Sequence, residues 1–313
     1  IGLTGVFWLL FFAGLIELFL QLFFSMIVLN VFPSRKFDSA LCKGMLKEAF
    51  PLAIVSVSVI IYYKIDSVML SYMQGDRQVG LYTAAYNLAF AFLFIGTSFH
   101  QAVFPVLSKL YINSRERLLQ IYRLSVKYLA IIGLPICAGM ILLSHRIVIL
   151  VYGENYIYSS KALQILMIAF LLMFVNGLMG NALVSAGNQR GLARIVGRGA
   201  LINVGLNLLV IPFYGFTGAA STTVITEFYS FIASWLMLKN HHNITAFPSD
   251  FIRPILSCAV MSFFVISIYP MPIYIIIPSA AAIYFSLLYI SGGIGTKEIS
   301  ILKRLYSKEN SIL

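Results

Sequence analysis

The sequence predicts an all-α, polytopic membrane protein, and three observations carry that prediction. Hydrophobic residues make up 60% of the 313 residues, charged residues only 11%, and the mean hydropathy is +0.91. A soluble chain would need about 25% charged residues to cover its surface. The apolar residues gather into nine runs of spanning length, for which about 20 residues at 1.5 Å rise suffice. The basic residues, finally, alternate with those runs in a regular way. No long alternating strand pattern appears, which disfavours a β-barrel.

In chain order the runs are 3–32, 49–73, 79–106, 126–151, 161–186, 196–214, 217–238, 252–270 and 272–291. Most end at residues that stop or redirect helices: Pro33, Pro51, Gly75, Gly153, Gly187, Pro212 with Gly215, and Pro270 with Pro272. The chain opens on Ile1 inside an apolar run, with no signal-peptide pattern before it. It reads as a chain whose N-terminal part is missing.

Nine spans require the connectors to alternate sides of the membrane. One side then receives Arg35, Lys36, Lys43, Lys47, Lys109, Arg115, Arg117, Arg123 and Lys127. It also receives Arg190, Arg194, Arg198, Lys239, Arg253, Lys297, Lys303, Arg304 and Lys308, making 18 of the 22 basic residues. The other side holds Arg77, Arg146 and Lys161, with Lys64 inside a helix. The positive-inside rule makes the richer side, and with it the C-terminus, cytoplasmic. A wrong span count would scramble this pattern. The opposite connectors, Gln74–Gln78, Tyr152–Ser160, Phe213–Phe216 and Pro270–Pro272, are too short to fold as domains. The work of the chain is therefore done within a membrane.

The net charge of +11 does not indicate nucleic acid, because the cations sit in connectors rather than on one face of a soluble domain. Cys42, Cys137 and Cys258 are scattered, so neither a disulfide framework nor a metal cluster is indicated. His241-His242 lacks carboxylate or cysteine partners at metal spacing. Gly292-Gly293-Ile294-Gly295 follows no strand, which excludes a dinucleotide fingerprint. The chain shows no catalytic constellation at one membrane depth and implies no cofactor, so it does not read as an enzyme.

The ionisable groups at membrane depth carry the functional reading, since charges there are costly and mark pathways. Lys64 and Asp66 lie two residues apart, about 200° around a helix, so they cannot pair with each other. Lys64 could attract a phosphate within a cavity, or snorkel from roughly 12 Å below its helix end. Asp66 could bind a cation or an arginine. Glu17 and Glu227 fall near the centres of apolar runs, where a carboxyl is protonated, paired or in a wet cavity. They read either as cation-coupling groups or as interhelical hydrogen-bond partners. Arg190, Arg194 and Arg198 form a stripe at i, i+4, i+8 that either greets an anionic head group or flanks the membrane. Asn203 and Asn207, four apart, line a polar path or bond neighbouring helices. The small residues of Gly215–Ser221 suit close helix packing, and His100 reads as structural.

The segment Tyr62–Leu88, with Ile65-Asp-Ser-Val-Met-Leu70 and Val79-Gly-Leu-Tyr-Thr-Ala-Ala-Tyr86, resembles the start of the C-terminal lobe of polysaccharide flippases. These belong to the multidrug/oligosaccharidyl-lipid/polysaccharide exporter superfamily. Further similarities follow in order: Pro105-Val-Leu-Ser-Lys109, Gly133-Leu-Pro135, Tyr152-Gly-Glu-Asn-Tyr156 with Ser159, and Ala186-Gly187-Asn188. Asn203, Asn207, Ile211-Pro-Phe-Tyr-Gly215 and Gly218-Ala-Ala220 complete a series covering about residues 36–240.

The resemblance implies two six-helix lobes around a cavity. On that plan 1–32 is the last helix of the N-terminal lobe and 33–48 a cytoplasmic linker. Residues 49–240 are the C-terminal lobe, 252–291 an additional helix hairpin and 292–313 a basic cytoplasmic tail. The implied function is flipping of isoprenoid diphosphate-linked oligosaccharide across the cytoplasmic membrane by alternating access, and the carboxyls at membrane depth suit coupling to a cation, H+ or Na+. From their charge and position rather than from a family motif, Lys64, Arg190, Arg194 and Arg198 are candidate substrate residues. Asp66, Glu227 and Glu17 are candidate coupling residues. The partners are membrane lipids and the glycolipid. Two alternatives stay open: a multidrug exporter of cations in the same superfamily, and a membrane glycosyl-polymerase or ligase.

Overall fold

The computed structural model describes residues 3–27, 38–244 and 251–293. The expected cytoplasmic cations Arg35, Lys36, Lys297, Lys303, Arg304 and Lys308 lie outside the described residues, as do most of the basic tail and part of the 33–48 linker. Among the described residues ten α-helices form: α1 Leu3–Ile27, α2 Ser39–Gln74, α3 Asp76–Phe90, α4 Leu93–Asn113, α5 Arg115–Leu142, α6 Ser144–Tyr152, α7 Ser159–Ser185, α8 Gln189–His242, α9 Ile252–Ser267 and α10 Ile273–Ile290. They divide into two compact units, Ile1–Ala49 and Phe50–Leu313. Among the described residues, five helices or uninterrupted pairs are long and apolar enough to cross a membrane. The pair α3 and α4, bent by 43°, is a sixth. The chain is a multi-pass, all-helical membrane protein.

In the first unit α1 is apolar all round, with Phe7, Trp8, Phe19 and Phe23 exposed, as a lipid-facing helix requires. Glu17 is exposed and accepts a 3.2 Å hydrogen bond from Gln21 Nε2 one turn on. Asp38 starts α2 as its N-cap, its Oδ1 accepting from the amides of Ala40 and Leu41 at 2.9 and 3.0 Å.

The second unit is built around α7, which packs against α3, α4, α5, α6 and α8. Leu163, Leu166, Met167, Phe170 and Leu178 of α7 are wholly buried. Beside this core, α9 and α10 pack on each other and on α5. Tyr284 reaches across from α10 to donate to the Ile131 carbonyl at 2.9 Å. Arg146 of α6 donates to the carbonyl oxygens of Tyr269 and Met271, which close the α9–α10 turn.

The helix α8 is 54 residues long but doubles back at Gly215, whose φ of 54° and ψ of −135° lie outside the helical region. Residues at similar, though not identical, distances along the chain from Gly215 meet across the two limbs. A Cβ on Gly218 would stand 2.9 Å from Val210 Cγ1, and one on Gly191 would stand 2.6 Å from Met237 Sδ. The runs 196–214 and 217–238 are thus the limbs of a helical hairpin. Its glycines permit the close backbone approach expected of Gly215–Ser221.

The hairpin tip leaves backbone groups to be satisfied. Gln74, at the end of α2, donates to the carbonyls of Ile211 and Pro212 at 3.3 and 3.0 Å. Gln78, in the first turn of α3, accepts from the Phe216 amide at 3.4 Å. These bonds pin the α2–α3 turn on the α8 tip. They bring four helix segments together at a common depth.

Candidate functional site

Asp66 sits where those segments converge. On α2, Asp66, Met69 and Leu70 are buried, while Lys64, Val68, Ser71 and Tyr72 are exposed. A helix repeat of 3.6 residues produces this division. It places Lys64 and Asp66 on opposite faces. Asp66 is eight residues below Gln74, and Asn207 and Thr223 are each eight residues from Gly215. At 1.5 Å per residue all three stand about 12 Å below the pinned tip.

Around the carboxylate, Tyr82 Oη of α3 donates to Oδ2 at 2.7 Å and Thr223 Oγ1 of α8 donates to Oδ2 at 2.9 Å. Asn207 Nδ2 donates to Oδ1 and also to Asn203 Oδ1, the latter at 3.1 Å. Thr223 Oγ1 is also 3.1 Å from the Ala219 carbonyl oxygen. Relative exposure is 2% for Asp66, 0% for Tyr82, Asn203 and Asn207, and 2% for Thr223. Such a dry carboxylate is costly unless compensated, and three donors compensate it in part.

The compensation is incomplete. Asn207 Oδ1 and Asn203 Nδ2 are buried without hydrogen-bond partners, and most buried polar atoms are not left so. One carboxyl group, two amide oxygens, a hydroxyl and a backbone carbonyl are gathered in one small volume. Hard monovalent cations favour an all-oxygen set of this kind. The three donors come from uncharged groups, so no arginine neutralises Asp66 among the described residues.

Glu227 lies elsewhere, between α7 and the second limb of α8. Its Oε2 accepts from Asn176 Nδ2 at 2.6 Å, and its backbone oxygen accepts from the same nitrogen at 3.1 Å. It borders a cavity of about 180 Å³ shared with His100 of α4. His100 is held by Phe174, whose carbonyl oxygen is 2.9 Å from Nε2, and by Asn181, which donates to the His100 carbonyl at 2.9 Å. The structure therefore separates Asp66 and Glu227 into two polar clusters. Glu17 belongs to the first unit.

Arg190, Arg194 and Arg198 are exposed along the start of α8. Arg194 Nε donates to the Arg190 carbonyl at 3.3 Å. Tyr82, Thr223 and Asn176 are the site residues that sequence reasoning missed. The i, i+4 spacing of Asn203 and Asn207 was a usable signal for the shared face. The similar offsets of Asp66 and Tyr82 from Gly75, and of Asn207 and Thr223 from Gly215, could have supplied the rest.

Comparison with known proteins adds to this geometry. The family described as polysaccharide biosynthesis protein matches residues 3–161. A protein of Shigella dysenteriae provisionally named an O-antigen transporter is 30% identical over 185 residues, 58% of this chain and 46% of that protein. One of Haloferax volcanii provisionally named low-salt glycan biosynthesis flippase Agl15 is 24% identical over 211 residues, 64% of this chain and 44% of that protein. The matched stretch spans less than half the length of either relative. Among solved structures, the lipid II flippase MurJ in an inward closed conformation shares the fold with a TM-score of 0.70. It is 20% identical, and the likeness covers 86% of this chain and 59% of that one.

Proposed function

Because this chain belongs to the polysaccharide biosynthesis protein family, we propose that it is part of a transporter that flips a lipid diphosphate-linked oligosaccharide across the cytoplasmic membrane by alternating access, coupled to Na+ or H+. Residues 49–240 form its C-terminal six-helix lobe, 252–291 an added hairpin, and 1–32 the last helix of a preceding lobe. The names of the two relatives support glycan translocation. The single observation behind cation coupling is the buried Asp66 carboxyl with the partnerless Asn207 Oδ1 beside it. Asp66, Asn203, Asn207 and Thr223, with the Ala219 carbonyl, are the groups that would hold the ion.

The substrate half of the reading rests on Lys64 and the Arg190, Arg194, Arg198 stripe, all exposed. A lysine facing a cavity away from bulk water makes a strong charge-assisted contact with a diphosphate. In proteoliposomes carrying the full-length protein, Lys64→Gln is expected to slow translocation of a lipid diphosphate-linked sugar about tenfold, with Lys64→Arg retaining part of the rate. Unchanged translocation in both variants would assign Lys64 to snorkelling. A gain in export of organic cations would favour the multidrug reading.

Orientation is tested separately. Single cysteines at Arg115 and Gln74 should show opposite accessibility to an impermeant maleimide in intact cells, with Gln74 labelled from outside. Labelling of both from one side would overturn the assigned topology.

A further inference from the structure

We propose that the cavity between α4, α7 and the second limb of α8 is a proton-binding site centred on Glu227, distinct from the Asp66 cluster. Its volume of about 180 Å³ has room for several waters at roughly 30 Å³ each. Leu93, Met173 and Phe174 form an apolar wall, and His100, Asn176 and Glu227 supply its main polar groups. Glu227 is 7% exposed and His100 is 9% exposed.

The hydrogen bonds identify what the cavity lacks. Asn176 Nδ2 is committed to Glu227, donating to Oε2 and to the backbone oxygen. Its Oδ1 is buried without a donor. A carbonyl oxygen can only accept, so the 2.9 Å contact with Phe174 requires His100 Nε2 to carry the ring hydrogen. In the neutral ring Nδ1 then presents a lone pair. Asn176, His100 and a carboxyl group thus line one cavity, and the Asn176 amide oxygen beside it lacks a hydrogen.

The matching ligand brings hydrogens and positive charge. An anion or a phosphate would meet the Glu227 carboxyl, and the Asn176 and His100 N–H groups are already committed to protein oxygens. An alkali cation favours oxygen ligands and would gain little from the imidazole nitrogen. A proton held on Glu227 turns the carboxyl into a group with one hydrogen to donate in a cavity otherwise short of donors. The titratable residues that line the cavity are His100 from α4 and Glu227 from α8, and α7 contributes the neutral Asn176. Thr223 and Glu227 are one helical turn apart on the same limb, so the two sites are neighbours without sharing a ligand.

Proton binding can be read without any transport assay, which separates this inference from the proposed flipping. The probe is the proton itself. Purified protein in nanodiscs of zwitterionic lipid is taken from pH 9 to pH 5 while infrared difference spectra follow the protonated carboxyl stretch. One carboxyl band should be lost in Glu227→Gln and kept in Asp66→Asn. A hydrogen bond to a charged group corresponds to about one to two pH units. Asn176→Leu should therefore displace the midpoint of that band by roughly one unit or more. The inference is overturned if a folded Glu227→Gln protein keeps every carboxyl band. Should that variant not fold, an unmoved midpoint in Asn176→Leu overturns it as well.

Discussion

Asp66→Asn is expected to abolish cation-driven translocation and to weaken cation binding roughly 10- to 100-fold, while the bundle remains folded. The substitution keeps the side chain's shape in a site where Asp66 is only 2% exposed. It removes the one formal charge of the cluster. It also turns an acceptor-only group into one that carries an NH2, and this must point toward Tyr82 and Thr223 or toward Asn207, all donors at present. A cation held there would lose a charged ligand and face a misdirected donor. Thr223→Val removes one oxygen and no charge, so its effect should be smaller, about tenfold or less. Binding of radioactive sodium to purified protein, and translocation in proteoliposomes under imposed Na+ and H+ gradients, measure the two quantities. Wild-type gradient dependence in Asp66→Asn would show that the carboxylate only ties α2, α3 and α8 together.

Much of this arrangement was legible in the sequence, because the reasons are local. The 200° between Lys64 and Asp66 follows from helix geometry, and the structure buries one and exposes the other. Pro212 and Gly215 punctuate two apolar runs, and the chain reverses there. Asn203 and Asn207 share a face for the same periodic reason, and Asn207 donates to both Asn203 and Asp66.

What stayed hidden depends on long-range docking. Nothing near Asp66 announces that Tyr82 will reach it from the next helix, or that Thr223 will arrive from 157 residues away. Those meetings are set by Gln74 and Gln78, two ordinary polar residues whose partners are the backbone of a distant hairpin. The bend of 43° between α3 and α4 was also illegible. It falls at Ala91 and Phe92, with neither proline nor glycine at the break, within what reads as one apolar run from 79 to 106. The separation of Glu227 from Asp66 was hidden likewise. Hydropathy places both at membrane depth and cannot say which helices they face.

The structural counterpart of the Glu227 cavity is the packing of His100 on Gly177, and here a single methyl group should have a large effect. A Cβ on Gly177 would lie 2.2 Å from His100 Cε1 and 2.4 Å from Nδ1. The ring cannot retreat freely, because Nε2 is bonded to the Phe174 carbonyl and Asn181 holds the His100 backbone oxygen. Gly177→Ala must therefore push α4 from α7 or break that bond, an overpacking cost of about 1–3 kcal/mol. Thermal unfolding in detergent should show the midpoint lowered by several degrees. His100→Ala is destabilising on its own, since it leaves a void beside α7. In the His100→Ala background, however, Gly177→Ala should cost almost nothing, because the added methyl group enters the space the ring has left. The double-mutant cycle should give a coupling of roughly 1–2 kcal/mol. Equal destabilisation by Gly177→Ala with and without the imidazole would mean that the glycine is required for some reason other than the His100 contact.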